Sequence, residues 1–334
     1  MRTSKKRNAP PAQEETPPAP TKEPPQAQAV DSVPQPKTVT NHDLVQSIIT
    51  GFGSEGTQEQ KGLAKANVRQ YLTQIIAKHS VASQYNIVLL YDEMRMVQAD
   101  ADNIYSAVTK FSDGKPILLV LHSSGGSVGP AYLIGKLLIE NSQGNLEIVV
   151  PRLAKSAATL LCCAANHIHM GSLSELGPID PQFEGLPALG LKSAIQHIAE
   201  LVAEYPHATD LFSKYMNLSI QPIHLGFYER VAESAAQYAE RLLHSHAADL
   251  AQTPEKISRD LVYFYKDHGF VIDKQEAQDI FGDKVVKHNT EEYQLGNALY
   301  RGLVYVTQIA DIVHQAFYMI GSLSSDPGFL SKQK

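Results

Sequence analysis

Apolar residues along this chain fall into three regimes. Between residues 41 and 80 they recur at helical spacing, as Leu44, Ile48 and Ile49 and then Val68, Leu72, Ile75 and Ile76, which predicts amphipathic helices. From Tyr85 the pattern changes to short unbroken runs. Asn86-Ile87-Val88-Leu89-Leu90-Tyr91, Pro116-Ile117-Leu118-Leu119-Val120-Leu121 and Leu146-Glu147-Ile148-Val149-Val150 have the length and continuity of strands buried on both faces. Helix-like stretches at about 98–110 and 128–141 separate them; a small-residue helix runs from Ser156 to Ala165, and a fourth short strand follows at His167-Ile168-His169-Met170. Strand–helix alternation at this spacing predicts a parallel sheet with crossover helices, an α/β core. From about 186 to 320 the pattern is mostly helical, with long stretches around 188–204, 223–250 and 291–319. In the last of these, Tyr300, Tyr305, Ile309, Val313 and Phe317 form a stripe suited to core or subunit packing. There is no internal repeat.

Composition adds a tail and removes several functions. Residues 1–40 hold nine of the nineteen prolines and almost no large apolar side chains, so they are expected to form a disordered, partly polyproline II tail. The expected organisation is that tail, a helical segment at 41–84, an α/β domain at 85–290, and a C-terminal helix and tail at 291–334 that serves packing or oligomerisation. A net charge of -6 gives no basic footprint for nucleic acid. No apolar run is long enough for a membrane span, and no apolar stretch follows the basic N-terminus as a secretory signal would require. The two cysteines, Cys162 and Cys163, are sequence neighbours and poorly placed to bridge each other, which fits a cytoplasmic location.

Two segments stand at the C-terminal ends of predicted buried strands, where open α/β sheets place ligands. In His122-Ser123-Ser124-Gly125-Gly126-Ser127-Val128 the paired glycines allow a tight turn and bare N–H groups against a ligand. Gly-Gly is also ordinary punctuation before a helix. In Ala154-Lys155-Ser156-Ala157-Ala158-Thr159-Leu160 a serine opens a helix, which is a common use of serine as an N-cap. The small Ala157 and Ala158 would let a substrate backbone approach, and the helix dipole favours a developing oxyanion there. The conjunction of the two segments, one strand apart, favours a nucleophile over a cap.

These residues resemble a known family. Leu121-His122-Ser123-Ser124-Gly125-Gly126-Ser127-Val128 is similar to the oxyanion loop of Clp protease subunits and signal peptide peptidase A, and Lys155-Ser156-Ala157-Ala158-Thr159-Leu160 to their nucleophile segment. Gly171-Ser172, Leu176-Gly177-Pro178-Ile179-Asp180-Pro181-Gln182 and Asp267-His268-Gly269-Phe270-Val271-Ile272 with Glu276-Ala277 resemble the S49-type subgroup of serine dehydrogenase proteinases. The resemblance covers about residues 85–290. It implies a ClpP/crotonase-like ββα spiral with a mostly helical C-terminal part, and peptide-bond hydrolysis. It also implies Ser156 as nucleophile and Gly125, Gly126 and Ala157 around the oxyanion. Partners implied are a peptide or protein substrate, further copies of the chain as a homo-oligomer, and a separate ATPase or adaptor. No cofactor or metal is implied.

The general base is where the chain departs from that pattern. Clp proteases place a histidine downstream of the serine, where this chain has Asp180; His268 lies near the place of their aspartate. His268 is the first candidate, since imidazole titrates near neutrality, with Asp180 behind it to orient the ring. A loop histidine filling a turn is the alternative reading, and Asp180 among Gly177, Pro178 and Pro181 has a turn-forming one. Lys192, where some S49-type relatives carry a lysine base, would need desolvation to act. Lys155 is the third candidate base, but neighbours along a helix start do not face each other, so it would have to curl back on its own chain and is expected to touch substrate or solvent instead. Two rivals follow. One is a peptide-binding pseudoenzyme that keeps the fold without a working base. The other is an acyl-CoA enzyme of the same spiral, against which the serine at the helix start argues. His167 and His169 share a strand face as a metal pair would, without a third ligand in view.

Overall fold

The computed structural model describes residues 38–332 apart from 181, 184–185 and 220–221. The Pro-rich segment 1–37 thus lies outside the described residues. Thr38–Lys334 forms one compact unit.

The chain opens with two capped helices, α1 (Asn41–Phe52) and α2 (Gln58–Ile76). Thr40 and Thr57 each accept the third helical N–H while Asp43 and Gln60 reach back, a reciprocal cap at each start. The α/β part then runs β1 (Asn86–Asp92), α3 (Gln98–Val108), β2 (Ile117–Ser123), α4 (Val128–Asn141), β3 (Leu146–Val150), β4 (Leu153–Ala154), α5 (Ala157–Cys162), β5 (His167–Met170) and β6 (Glu175–Leu176). A short hairpin, β7 (Gln182–Phe183) and β8 (Leu186–Pro187), leads to α6 (Ala188–Glu204), α7 (Thr209–Ser219) and α8 (Pro222–Leu243). The chain finishes with α9 (Pro254–Arg259), α10 (Lys274–Phe281), β9 (Val286–Lys287), α11 (Glu291–Ile312), β10 (Gln315–Ser322) and β11 (Gly328–Ser331).

The main sheet has the order β11-β10-β1-β2-β3-β5-β9, and its β1-β2-β3-β5-β9 section is parallel. Two short strands leave this plane: β4 pairs with the end of β2 at Ser123↔Ala154, and β6 pairs with β4. The predicted parallel α/β core is therefore present, and the added β4–β6 layer gives it the spiral form.

Strand alternation sorts the apolar runs onto two faces. Val88, Leu90, Leu119, Leu121, Ile148 and Val150 point to one core with α3, α4, α5 and α8. Ile87, Leu89, Leu118, Val120 and Val149 point to a second core with α1, α2 and α11. This double coverage is why the runs contain no polar alternation.

The predicted C-terminal helix is shorter than its apolar stripe. It ends at Ile312, His314 turns the chain with φ of 55°, and Phe317 belongs to β10, which pairs antiparallel with β1. Among the described residues no helix is long and apolar enough to cross a membrane.

Candidate active site

The site forms where β2 and β4 end side by side. β2 delivers Ser123, after which Gly125 (φ 97°) and Gly126 (φ 153°) turn the chain into α4. Side chains rarely tolerate this backbone, and there is no room for one. A Cβ on Gly125 would lie 2.5 Å from Lys155 O and 3.0 Å from both Ala157 N and Ser156 Cβ. One on Gly126 would lie 2.3 Å from Met96 N. The bare backbone thus brings this loop against the serine segment. Met96 clasps it from the other side: its N–H donates to Gly125 O at 2.9 Å, and its carbonyl accepts the Ser127 N–H at 2.9 Å. Met96 was not singled out by the sequence. Its signal is position, in the loop just beyond the end of β1.

Ser156 carries φ 51° and ψ -117°, a left-handed backbone for a residue with a side chain. Such geometry costs about 1–3 kcal/mol and persists only where surroundings impose it. Here Lys155 N–H donates to Ser123 O, and Thr159 Oγ1 lies 2.7 Å from both Ala154 O and Gly177 O. The serine does not cap α5, and its hydroxyl makes no hydrogen bond among the described residues. The N-cap reading of Ser156 is thereby removed.

The Gly125 N–H donates to Ser123 Oγ at 3.1 Å. The N–H groups of Gly126 and Ala157 have no acceptor among the described residues. Ala157 is the first residue of α5, so its N–H has no partner within the helix. Among the described residues the N–H groups of Gly126 and Ala157 are thus open, while that of Gly125, the third residue expected around the oxyanion, is engaged by Ser123.

Lys155 points away from the serine. Its ammonium lies 3.1 Å from Glu175 Oε2 and 3.2 Å from the carbonyls of Leu176 and Phe270. Three acceptors match its three protons, so Lys155 is a strut tying the nucleophile strand to the 267–272 loop. Leu176 and Ile272 reinforce that tie by exchanging backbone hydrogen bonds.

His268, in that loop, stands with Nδ1 3.8 Å from Asp180 Oδ2, beyond a normal hydrogen bond. Burial pushes the His268 pKa below its ordinary value, against the opposing pull of the Asp180 backbone and the Asp267 charge. The fold thus brings His268 and Asp180 together, and Ser156 together with Gly125, Gly126 and Ala157. Among the described residues, no hydrogen bond joins Ser156 to His268. Lys192 lies on α6, and its side chain is outside the described residues.

His167 and His169 share one buried carboxylate. Their ring nitrogens lie 2.9 and 2.7 Å from the two oxygens of Glu147, and His169 Nδ1 contacts the Thr290 hydroxyl that caps α11. Burial alone would raise the Glu147 pKa, but the two imidazole contacts hold it at about 2. The same contact raises the pKa of His167.

Known proteins supply three comparisons. The family model described as ClpP-like SDH-type serine proteinase matches residues 69–204. Two uncharacterized proteins of Methanocaldococcus jannaschii are similar in part. One is 35% identical over 97 residues, 29% of this chain and 34% of the relative. The other is 28% identical over 105 residues, 31% of this chain and 36% of the relative. The chain thus spans about a third of the length of these relatives. Among solved structures, two variants of the 1510-N membrane-bound stomatin-specific protease align at 13% identity and a TM-score of 0.40. The alignments cover 64% of this chain and 84% of one variant, and 75% of this chain and 89% of the other, which holds a substrate peptide.

Proposed function

We propose that this chain, which is similar to the ClpP-like SDH-type serine proteinases over residues 69–204, hydrolyses peptide bonds by acyl transfer through Ser156. The observation that carries the proposal is the backbone of Ser156. Among the described residues, a serine held at φ 51°, with its hydroxyl unbonded and the N–H of the next residue, Ala157, open, has no evident structural purpose. Such a backbone is suited to presenting Oγ to an acyl carbon.

In the proposed reaction Oγ attacks the scissile carbonyl, and the carbonyl oxygen becomes an oxyanion held by the N–H groups of Gly126 and Ala157. Gly125 contributes by close approach, with its own N–H bonded to Ser123. His268 takes the serine proton and returns it to the leaving amine, while Asp180 orients the ring and balances its charge. The lowered pKa keeps the His268 ring neutral and able to accept a proton at neutral pH. Its 3.8 Å separation from Asp180 tightens in this reading when substrate binds, as catalytic contacts in ligand-free sites often do. Water then releases the acyl group by the same route.

Labelling with a fluorophosphonate tests this directly. Wild type is expected to react, Ser156→Ala to lose all reaction, and His268→Ala to slow it by about 100-fold or more. Loss in Lys192→Ala with His268→Ala intact would transfer the base to α6.

A second reading, a peptide-binding protein without turnover, draws on the absence, among the described residues, of a hydrogen bond between Ser156 and a base. Peptide binding indifferent to Ser156→Ala, with no product by mass spectrometry, would select it. Self-association is part of the proposal, supported by the exposed Leu211 and Tyr215 on α7 and checked by light scattering of the full chain. A reducing, cytoplasmic setting accords with Cys162 and Cys163 being free and fully buried, and fluorescence localisation would test it.

A further inference from the structure

An open cleft of about 780 Å³ lies between α2 and α11, by the C-terminal end of β3, where the chain turns into β4. Its volume is that of a small-molecule site. Lys78, Arg152 and Arg301 reach it as cations and His79 adds an imidazole, while none of the lining residues is acidic. This is unusual in a chain of net charge -6. Uncompensated cations in one concavity focus positive potential and repel one another unless an anion enters.

Each cation is available. Lys78 and Arg301 are exposed and make no ion pair among the described residues. Arg152 is half-buried and held in place. Its Nη1 donates to Asn297 Oδ1 at 3.0 Å, and its guanidinium lies 4.9 Å from the centre of the Tyr300 ring. Its Nε and Nη2 make no hydrogen bond among the described residues, leaving much of the planar fork unused. The phenols of Tyr71, Tyr300 and Tyr305 also line the cleft, as hydroxyl donors and flat apolar walls.

We propose that this cleft binds a small phosphate-bearing polyanion, with Arg152 as its fixed anchor and Lys78 and Arg301 closing on the remaining charge. Phosphate groups fit better than isolated carboxylates because three cations face one compact volume, and a guanidinium fork matches phosphate oxygens in pairs. An acidic peptide would spread the same charge over a longer backbone. The location is also suggestive. Tyr300 packs on His122 with ring centres 4.8 Å apart, immediately before the Ser123–Gly126 loop, and Arg152 lies just ahead of the strand leading to Ser156.

The inference does not depend on the catalytic reading, and its test is binding alone. The full chain would be titrated calorimetrically with inorganic tripolyphosphate, then with adenosine triphosphate and a tetraglutamate peptide, at low and moderate salt. Saturable one-to-one binding of tripolyphosphate, weakened by salt, is expected. Arg301→Ala and Lys78→Ala, both at exposed positions, should each weaken it about tenfold or more, while Lys110→Ala in the turn after α3 should leave it unchanged. Tighter binding of adenosine triphosphate would assign the tyrosines to a flat ring. The proposal is overturned if tripolyphosphate does not saturate, if Lys110→Ala weakens it as much as the cleft variants, or if only the peptide binds.

Discussion

Replacing Ser156 with glycine should make the protein more stable and inactive. At φ 51° and ψ -117° the serine occupies backbone space that costs a residue with a Cβ about 1–3 kcal/mol, and glycine enters it freely. Glycine gains more freedom in the unfolded chain, an opposing cost of about 0.5–1 kcal/mol. The lost hydroxyl forfeits no hydrogen bond, since it makes none among the described residues. The balance is about 1 kcal/mol in favour of Ser156→Gly, or roughly 2 °C in melting temperature for a chain of this size. Ser156→Ala keeps the Cβ and the strain, so it should stay within about 0.5 kcal/mol of wild type. Urea titration of the three proteins, fitted with a shared slope, separates the contributions. If the glycine variant is no more stable than the alanine variant, Ser156 stores no strain and the argument for its poised hydroxyl fails.

Gly126→Ala would drive a Cβ to within 2.3 Å of Met96 N, against backbone that cannot swing aside. We expect a loss of about 2 kcal/mol or more by denaturant titration, together with loss of fluorophosphonate labelling. Glu147→Gln removes the carboxylate that His167 and His169 share. Its shift from 4.5 to about 2 corresponds to about 3 kcal/mol, present above pH ~4.5 and lost as pH falls toward 2. Unfolding curves for wild type and variant should therefore differ at pH 6 and converge in strong acid. Burial lowers the pKa of His122 and His246 to about 4, so each must be charged at a cost in acid. Wild-type stability should fall as pH drops from ~6.5 toward 4, and His246→Phe should flatten that slope in a melting-temperature profile. Lys155→Met should cost about 2 kcal/mol and speed hydrogen exchange in residues 267–272, because three acceptors lose their common donor.

The β1, β2 and β3 runs were legible because both faces of each strand are covered, leaving only apolar residues between turn signals. The end of α11 was not. Ile312-Val313-His314 contains neither glycine nor proline, and Val313 and Phe317 fit a helical stripe as well as they fit their actual places. The break is made by His314 at φ 55°, a conformation that a glycine would have announced and a histidine announces only weakly. Within the site, Ser156 and the glycine loop were marked by residue type and order. Their conjunction already favoured a nucleophile over a cap, but the positive φ of Ser156 and its missing capping bond were not legible, because neither follows from residue type. Gly125 and Gly126 look equivalent in sequence, but in the fold Gly125 abuts the serine segment and gives its N–H to Ser123, while Gly126 abuts Met96. The cationic cleft was wholly hidden, since Lys78, Arg152 and Arg301 meet only after α2 and α11 fold over the sheet.

The pairing of β1 with β10 has a bearing on how the chain is made. A ribosome delivers α1, α2 and β1 early, yet the core they share with α11 and β10 cannot close until residues near 320 have emerged. Until then β1 presents an open edge, and Leu89, Tyr91, Leu118 and Val120 have nothing permanent to rest against. Contacts spanning so much sequence make folding slow and leave adhesive surface exposed in the interval. The opposite face is furnished largely by intervening segments and can consolidate sooner. Maturation should therefore proceed in two stages, with a half-dressed intermediate that invites chaperones. Nascent chains arrested after α10 should accordingly be captured by a trigger-type holdase, and chains extended past β11 released.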